Sequence, residues 1–393
     1  MIAHTAEPAQ LFVESLTGAG YRRHHPRSLG ADDGPLSGDL RREGGSVALQ
    51  WGVHTGRLGA LPEAVPLTAR RTLSAAWVGP RLPQDVLGDV FEALWACGLD
   101  RDAVVCRLAD RGREGDPVRA ALARLGIPQA GEDPDAGAPP DTSHRRHGTP
   151  GVLLSLDCEL GPACSPACTP DCLCGRYLHL GDGRFTRPAR STGLPVFEFL
   201  AAEDAVSCGA AGLADPFDLP PLRGLLEAVG ARLPELLTLP APGQALRLVV
   251  DHTRAVALLL AAGFGPGPRG PARATRRLLR RMAGTMALAG APVAGLADLV
   301  ALAGGAHGFP AVSVAARYLV ERETAAFDRV VAAGHRRFLC CLARRPTPDE
   351  LAVELARLRS ERGVPLALTL NWCRQHGISV PLSLIAAADA RDV

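Results

Sequence analysis

The sequence predicts an α+β fold over roughly its first 200 residues, an antiparallel sheet with flanking helices, and an all-α fold beyond it. Three observations carry this. Short apolar runs at 46–51, 67–78, 103–108 and 152–156 are separated by turn signals and by segments of helical period. From Leu219 onward only helical spacing remains. Within that half, two helices joined by a Gly/Pro loop concentrate arginine on one face of the second.

Taken in order, Pro8 to Tyr21 places Leu11, Phe12, Leu16 and Ala19 at helical spacing, and the Gly/Asp/Arg-rich stretch Gly30–Gly45 reads as a loop. Ser46–Trp51 and Leu67–Val78 read as sheet strands. Gln84–Cys97 is helical by period, Ala103–Leu108 is a buried strand, and Val118–Leu125 is a helix. Gly131–His147, rich in Pro, Gly and Asp, is a linker. Val152–Leu156 returns to the sheet, and Pro195–Ala202 fits a strand or a helix. A helix is expected from about Asp251, with Val256, Leu259 and Leu260 on one side, Asp251 as its N-cap, His252 buried and Gly263 as its stop. Phe264–Pro271, with three prolines, forms the loop. In the next helix Arg273, Arg276, Arg277, Arg280 and Arg281 fall within an arc of about 140°. Thr275, Leu278, Leu279 and Met282 lie on the other side, facing a core. Five guanidinium groups on one face repel one another unless acids or an anionic ligand sit against them.

The 393 residues suffice for two or three domains. Formal net charge is only +2, so affinity for nucleic acid has to come from local patches. Every basic residue other than histidine is arginine, which excludes a P-loop lysine, a Schiff-base lysine and a Ser-Lys dyad. Aromatic residues make up 4%, too few for base stacking to be the main binding device. The start MIAHTAEPAQ lacks the basic and apolar regions of a signal peptide, and no apolar run approaches the ~20 residues of a membrane span. Eleven cysteines without a secretion signal point to metal rather than disulfides. A soluble cytoplasmic protein with no membrane contact is expected.

Cys164, Cys168, Cys172 and Cys174 lie within eleven residues, a spacing that lets four thiolates close a tetrahedral zinc site in a loop with little other core. Asp157 and Cys158 are near enough in sequence to join them, and a loop of free thiols is the alternative. Cys340 and Cys341 are expected in core packing, and His24, His25, His144 and His147 on the surface.

The stretch VVDHTRAVALLLAAGF…RGPARATRRLLRRMAG closely resembles the helical tRNA-recognition domain of alanyl-tRNA synthetases, with its A-D-H-x-R-A pattern, Gly-rich loop and L-R-R-x-x-R-R helix. Further segments resemble the same family: Thr68-Ala69-Arg70 its version of class II motif 2, Phe217–Leu222 its Y-D-T-D-L-F, Glu321–Phe327 its E-E-x-x-F helix, and Gly363–Thr369 its G-F-P-L-D-L-T. The cysteine run followed by Gly175-Arg176-Tyr177 resembles a Cys-rich insertion of some members. The chain stops short of the family's editing and C-terminal domains, so the resemblance implies a truncated paralogue.

It further implies a class II synthetase-like catalytic domain over residues 1–215, with a zinc loop (158–174) and linker (131–147). A tRNA acceptor-stem-binding-like domain over 216–345 and a small helical unit over 346–393 would follow. In such a domain Arg70 would meet an ATP phosphate, while Arg254, Arg273, Arg276, Arg277, Arg280 and Arg281 would contact tRNA, of the tRNA-Ala type. Other positions depart from the pattern. The acidic position of motif 2 is Ala76, and the motif 3 arginine that clamps the γ-phosphate is Glu198, in Ser191-Thr192-Gly193-Leu194-Pro195-Val196-Phe197-Glu198. The glutamate of G-P-x-S-E-I is Leu153, and in R-F-x-E-I-W-N glutamate, tryptophan and asparagine become His179, Gly181 and Asp182. A carboxylate at Glu198 repels triphosphate.

Two readings follow. In one, a synthetase-like protein keeps tRNA binding and has lost standard ATP-dependent alanylation. In the other, a rebuilt pocket activates a different acyl group, or transfers one from charged tRNA to a small molecule or carrier. Zinc is structural in both, and ATP binding is left open.

Overall fold

The computed structural model describes residues 7–27, 29, 36, 42–54, 67–109, 115–132, 151–172, 174–186 and 194–385. Most of the predicted loop at 30–45, most of the linker, His144, His147 and Ser191–Gly193 lie outside the described residues. The chain divides into two compact units, Met1–Arg223 and Gly224–Val393.

The first unit contains helix α1 (Pro8–Gly18), strands β1 (Arg22–His24), β2 (Gly44–Val53) and β3 (Ala69–Val78), and helix α2 (Pro83–Ala96). Then come β4 (Val104–Ala109), α3 (Asp116–Arg124), β5 (Gln129–Glu132), β6 (Gly151–Glu159), β7 (Tyr177–Thr186), β8 (Val196–Ala202) and α4 (Glu203–Ala211). The eight strands form one sheet in the order β1-β2-β3-β8-β7-β6-β4-β5. The run from β2 to β4 is antiparallel throughout, and β1 and β5 join its two ends in parallel. The expected α+β class and antiparallel sheet are therefore present. Pro195–Ala202, open between strand and helix in the sequence, is strand: Phe197, Phe199 and Ala201 alternate into the core.

One face of the sheet is covered. Ala9, Phe12, Val13 and Leu16 of α1 and Val86, Leu87, Val90, Phe91 and Leu94 of α2 are buried at helical spacing. They share a core with Val47, Leu73, Ala75, Leu154, Leu156 and Phe199 of the strands. The period of two sends the alternate residues to the other face, which is where the sequence-predicted substrate positions lie.

The second unit is all helical, as expected. After α5 (Pro220–Arg232), which spans the unit boundary, come α6 (Pro242–Ala261), α7 (Gly270–Ala289), α8 (Leu296–Ala306), α9 (Val314–Leu342), α10 (Pro348–Ser360) and α11 (Leu366–Gln375). Every residue from Leu248 to Leu260 is buried, so α6 is the central helix. This corrects the expected start near Asp251. Pro242 opens the helix, and Asp251 sits mid-helix, 1% exposed, accepting a 3.0 Å bond from Nδ1 of His252. It is an interior acid and not an N-cap. A smaller core of Phe338, Leu351, Leu355, Leu358, Val364 and Trp372 joins α9, α10 and α11. Thr347 and Glu350 cap α10 reciprocally. Among the described residues no helix is long and apolar enough to cross a membrane.

Candidate functional site

The cysteine loop is the tip of the β6–β7 hairpin, closed at its base by the Leu160 amide donating to the Arg176 carbonyl at 2.7 Å. Two tight turns shape it, Cys168 N–H to Ser165 O at 3.0 Å and Cys172 N–H to Thr169 O at 2.9 Å. They bring Sγ of Cys164 to 3.5 Å from Cys172 and Sγ of Cys168 to 3.6 Å from Cys174, with all four sulfurs within 4.8 Å of one another. A Zn–S bond of about 2.3 Å in a tetrahedron requires S···S edges of about 3.8 Å, so the donor set fits a closed structural zinc site. The amide of Cys164 and the guanidinium of Arg176 favour the Cys168 thiolate, lowering it to about 7; bonding to Cys172 raises Cys164 to about 12. Asp157 and Cys158 do not join the set. Cys158 is 1% exposed and packs in the sheet core, and Asp157 turns to the opposite face, toward His179.

On the face opposite the helices a polar network crosses three strands. Arg107 of β4 donates from Nε to Asp157 of β6 at 3.0 Å and from Nη1 to Asp171 of the cysteine loop at 2.8 Å. His179 of β7 lies 3.3 Å from Asp157 through Nδ1 and 3.4 Å from Asp182 through Nε2. Ser155 donates to Asp182 at 2.8 Å. Desolvation disfavours the His179 imidazolium, but its bonds to the two aspartates win and raise it to about 9. The sequence marked His179 and Asp182 only as lost family residues. The β-bulge between Leu156 and Asp157, which puts Asp157 opposite His179, carries no residue signature.

The neighbouring cross-strand row contains the other altered positions. Ala76 pairs with Glu198, Glu198 with Arg184, and Arg184 with Leu153. Positions drawn from three distant sequence segments thus share one line across the sheet. Ala76 is 1% exposed and packs with Ala48 and Leu36 in a small apolar cluster, so its own side chain offers no acid where the family carries one. Arg70 is half-buried on the same face of β3.

In the second unit the arginine face of α7 divides. Arg276 and Arg280 both donate from Nε to the Glu323 carboxylate of α9, at 3.3 and 2.7 Å, and Glu323 is 8% exposed. Arg273 and Arg277 are exposed. Arg281 is half-buried; desolvation lowers its pKa, Asp251 opposing and Arg277 adding to the effect. Arg254, grouped with this face in the sequence, is 2% exposed inside α6. A guanidinium there cannot reach a ligand outside without unpacking the helix, so it leaves the contact set. Burial and the Arg254 charge together push His307 down to about 3. Cys340, expected in a core, is exposed; Cys341 is half-buried beside the C-terminal core.

Residues 240–391 match the family described as tRNA synthetases class II (A). The alanine–tRNA ligase of Mycolicibacterium smegmatis is 34% identical over 145 residues, 34% of this chain and 16% of that protein. That of Mycobacterium sp. (strain KMS) is 29% identical over 188 residues, 45% of this chain and 21% of that protein. The chain thus spans about a sixth to a fifth of the length of these curated relatives. Apo histidyl-tRNA synthetase of S. aureus is similar at 11% identity and a TM-score of 0.35, over 52% of this chain and 70% of that one, a likeness too distant to bear on the site.

Proposed function

Starting from a chain that is alanyl-tRNA synthetase-like, we propose that it binds a tRNA acceptor stem of the tRNA-Ala type and no longer carries out standard ATP-dependent alanylation. The observation that carries the binding half is the α7 face. Arg273 and Arg277 are exposed beside Arg276 and Arg280 within the stretch that matches the synthetase family. An A-form stem offers its phosphates and shape rather than base edges in a deep, narrow groove, and guanidinium groups spaced along a helix suit such contacts. In this reading residues 216–345 hold the stem and 346–393 form the small helical unit behind it. The cysteine loop holds zinc as a structural ion and stiffens the β6–β7 hairpin.

Loss of adenylation rests on the row Ala76–Glu198–Arg184–Leu153. Triphosphate needs cations along its path, and Glu198 puts a carboxylate where the family carries an arginine. Arg70 remains the one expected phosphate contact.

Two measurements test the reading. Binding of a tRNA-Ala transcript by fluorescence anisotropy should be tight at low salt and weaken steeply as salt rises. Alanine-dependent ATP–pyrophosphate exchange should be absent with and without tRNA. Robust exchange overturns the loss of adenylation, and failure to bind tRNA at low salt overturns the binding half.

A further inference from the structure

A second cationic feature lies one stripe of α9 round from Glu323. There a cavity of about 260 Å³ opens between α9 and the end of α10. Its floor is apolar, formed by Val330, Gly334 and Leu358, the last fully buried. Gly334 allows the close packing behind it, since a Cβ there would come within 2.7 Å of Cγ2 of Val364. The turn that brings Val364 against α9 also carries Arg362, two residues earlier, to the cavity wall.

Three guanidinium groups line the space, from Arg329, Arg337 and Arg362. Glu354 of α10 grips Arg337 at two points, one of them Nη2 to Oε2 at 3.2 Å, which fixes that side chain and neutralises its charge. Arg329 and Arg362 have no ion-pair partner among the described residues. Two guanidinium groups without an ion-pair partner, neither of them on the α7 face, therefore line a cavity with an apolar floor, the Glu361 carboxylate adding its field at Arg337.

We propose that this cavity binds a small phosphate monoester with an apolar body. A monoester carries about −1.5 to −2 charges at pH 7, which matches the two free guanidinium groups, and its three terminal oxygens suit their planar forks. A monocarboxylate would leave one arginine uncompensated. A nucleic-acid backbone bears one charge per phosphate between polar sugars and leaves the Val330–Leu358 floor unused. The site is independent of tRNA binding.

The test is isothermal titration calorimetry of the full chain in phosphate-free buffer, with phenyl phosphate and inorganic phosphate as probes. One phenyl phosphate should bind per chain, about tenfold more tightly than inorganic phosphate because the ring covers the floor. Arg329→Ala and Arg362→Ala should each weaken phenyl phosphate by about tenfold or more. Arg344→Ala, an exposed arginine outside the cavity, should leave it unchanged. Equal affinity for the two probes, no saturation by about 10 mM, or indifference to both cavity substitutions overturns the proposal. Silence with phenyl phosphate alongside weakened binding of a short RNA duplex in Arg362→Ala also overturns it, and assigns these arginines to nucleic acid.

Discussion

Glu323 is the residue whose replacement says most about the arginine face. One buried carboxylate holds two guanidinium groups, Arg276 at 3.3 Å and Arg280 at 2.7 Å, whose side chains are 36% and 35% exposed. Glu323→Gln removes the counter-charge and keeps the shape. If the face meets a phosphate backbone, one or both freed arginines turn to it. Each added contact steepens the dependence of log Kobs on log[salt] by about 0.9. Between 50 and 200 mM salt that is about half a log unit, so wild type and variant should diverge by about threefold for one recruited arginine and about tenfold for two. The variant also loses two charge-assisted hydrogen bonds. These are worth about 1.5–3 kcal/mol each when shielded, but both arginines are over a third exposed, and a total stability loss of about 1–2 kcal/mol is expected. The assay is anisotropy of a labelled tRNA titrated at several salt concentrations, with urea unfolding run in parallel. An unchanged salt slope in a folded variant would refute the reasoning, because Arg276 and Arg280 would then lie away from any phosphate.

Other expectations are equally direct. Protein purified without chelator should contain about one zinc per chain, and Cys168→Ser should lose it; a metal-free wild type with an ordered loop would count against the site. His179 should titrate near 9, falling toward its ordinary 6.5 in Asp182→Asn, as followed by imidazole NMR. Because folding raises this pKa, its contribution to stability is complete below about 6.5 and disappears as pH rises through about 9. An unshifted wild-type titration would contradict the network. Gly181→Ala should cost about 2–4 kcal/mol by urea unfolding, since a Cβ there lies 2.3 Å from the Leu200 carbonyl oxygen and 2.7 Å from Cα of Ala201. A change below about 0.5 kcal/mol would mean that β7 and β8 separate easily.

Much of the fold was legible because each element carries its own period. The strands around Val47, Leu73, Val104 and Leu154 and the helices around Phe91 and Leu279 declare themselves by alternation or by i, i+3, i+4 spacing. What escaped depends on partners distant in sequence. β1 is three polar residues whose only strand signal is pairing with Ser46–Ala48. Asp251 and His252 resemble a helix start because ionisable residues are uncommon inside a buried helix, yet Nδ1 of His252 bonds the Asp251 carboxylate there. Arg254 shares a residue type with the α7 face but not its exposure. Glu323 is separated from Arg276 by 47 positions, and no local pattern ties the two together. The grouping of Cys164, Cys168, Cys172 and Cys174 was readable, because the four lie within eleven residues.

Arg107 ties the cysteine loop to the face of the sheet opposite the helices, since its one guanidinium is divided between Asp171 beside the cysteines and Asp157 beside His179. If the cysteine loop holds zinc, as proposed, chelation that loosens it would release Asp171 and leave Arg107 wholly to Asp157, which would then support the His179 imidazolium less. Reciprocity requires the converse: each proton lost from His179 must weaken the hold on the ion by the same factor. Metal affinity and imidazole protonation become two readings of a single coupling constant, and Arg107→Gln sets that constant to one.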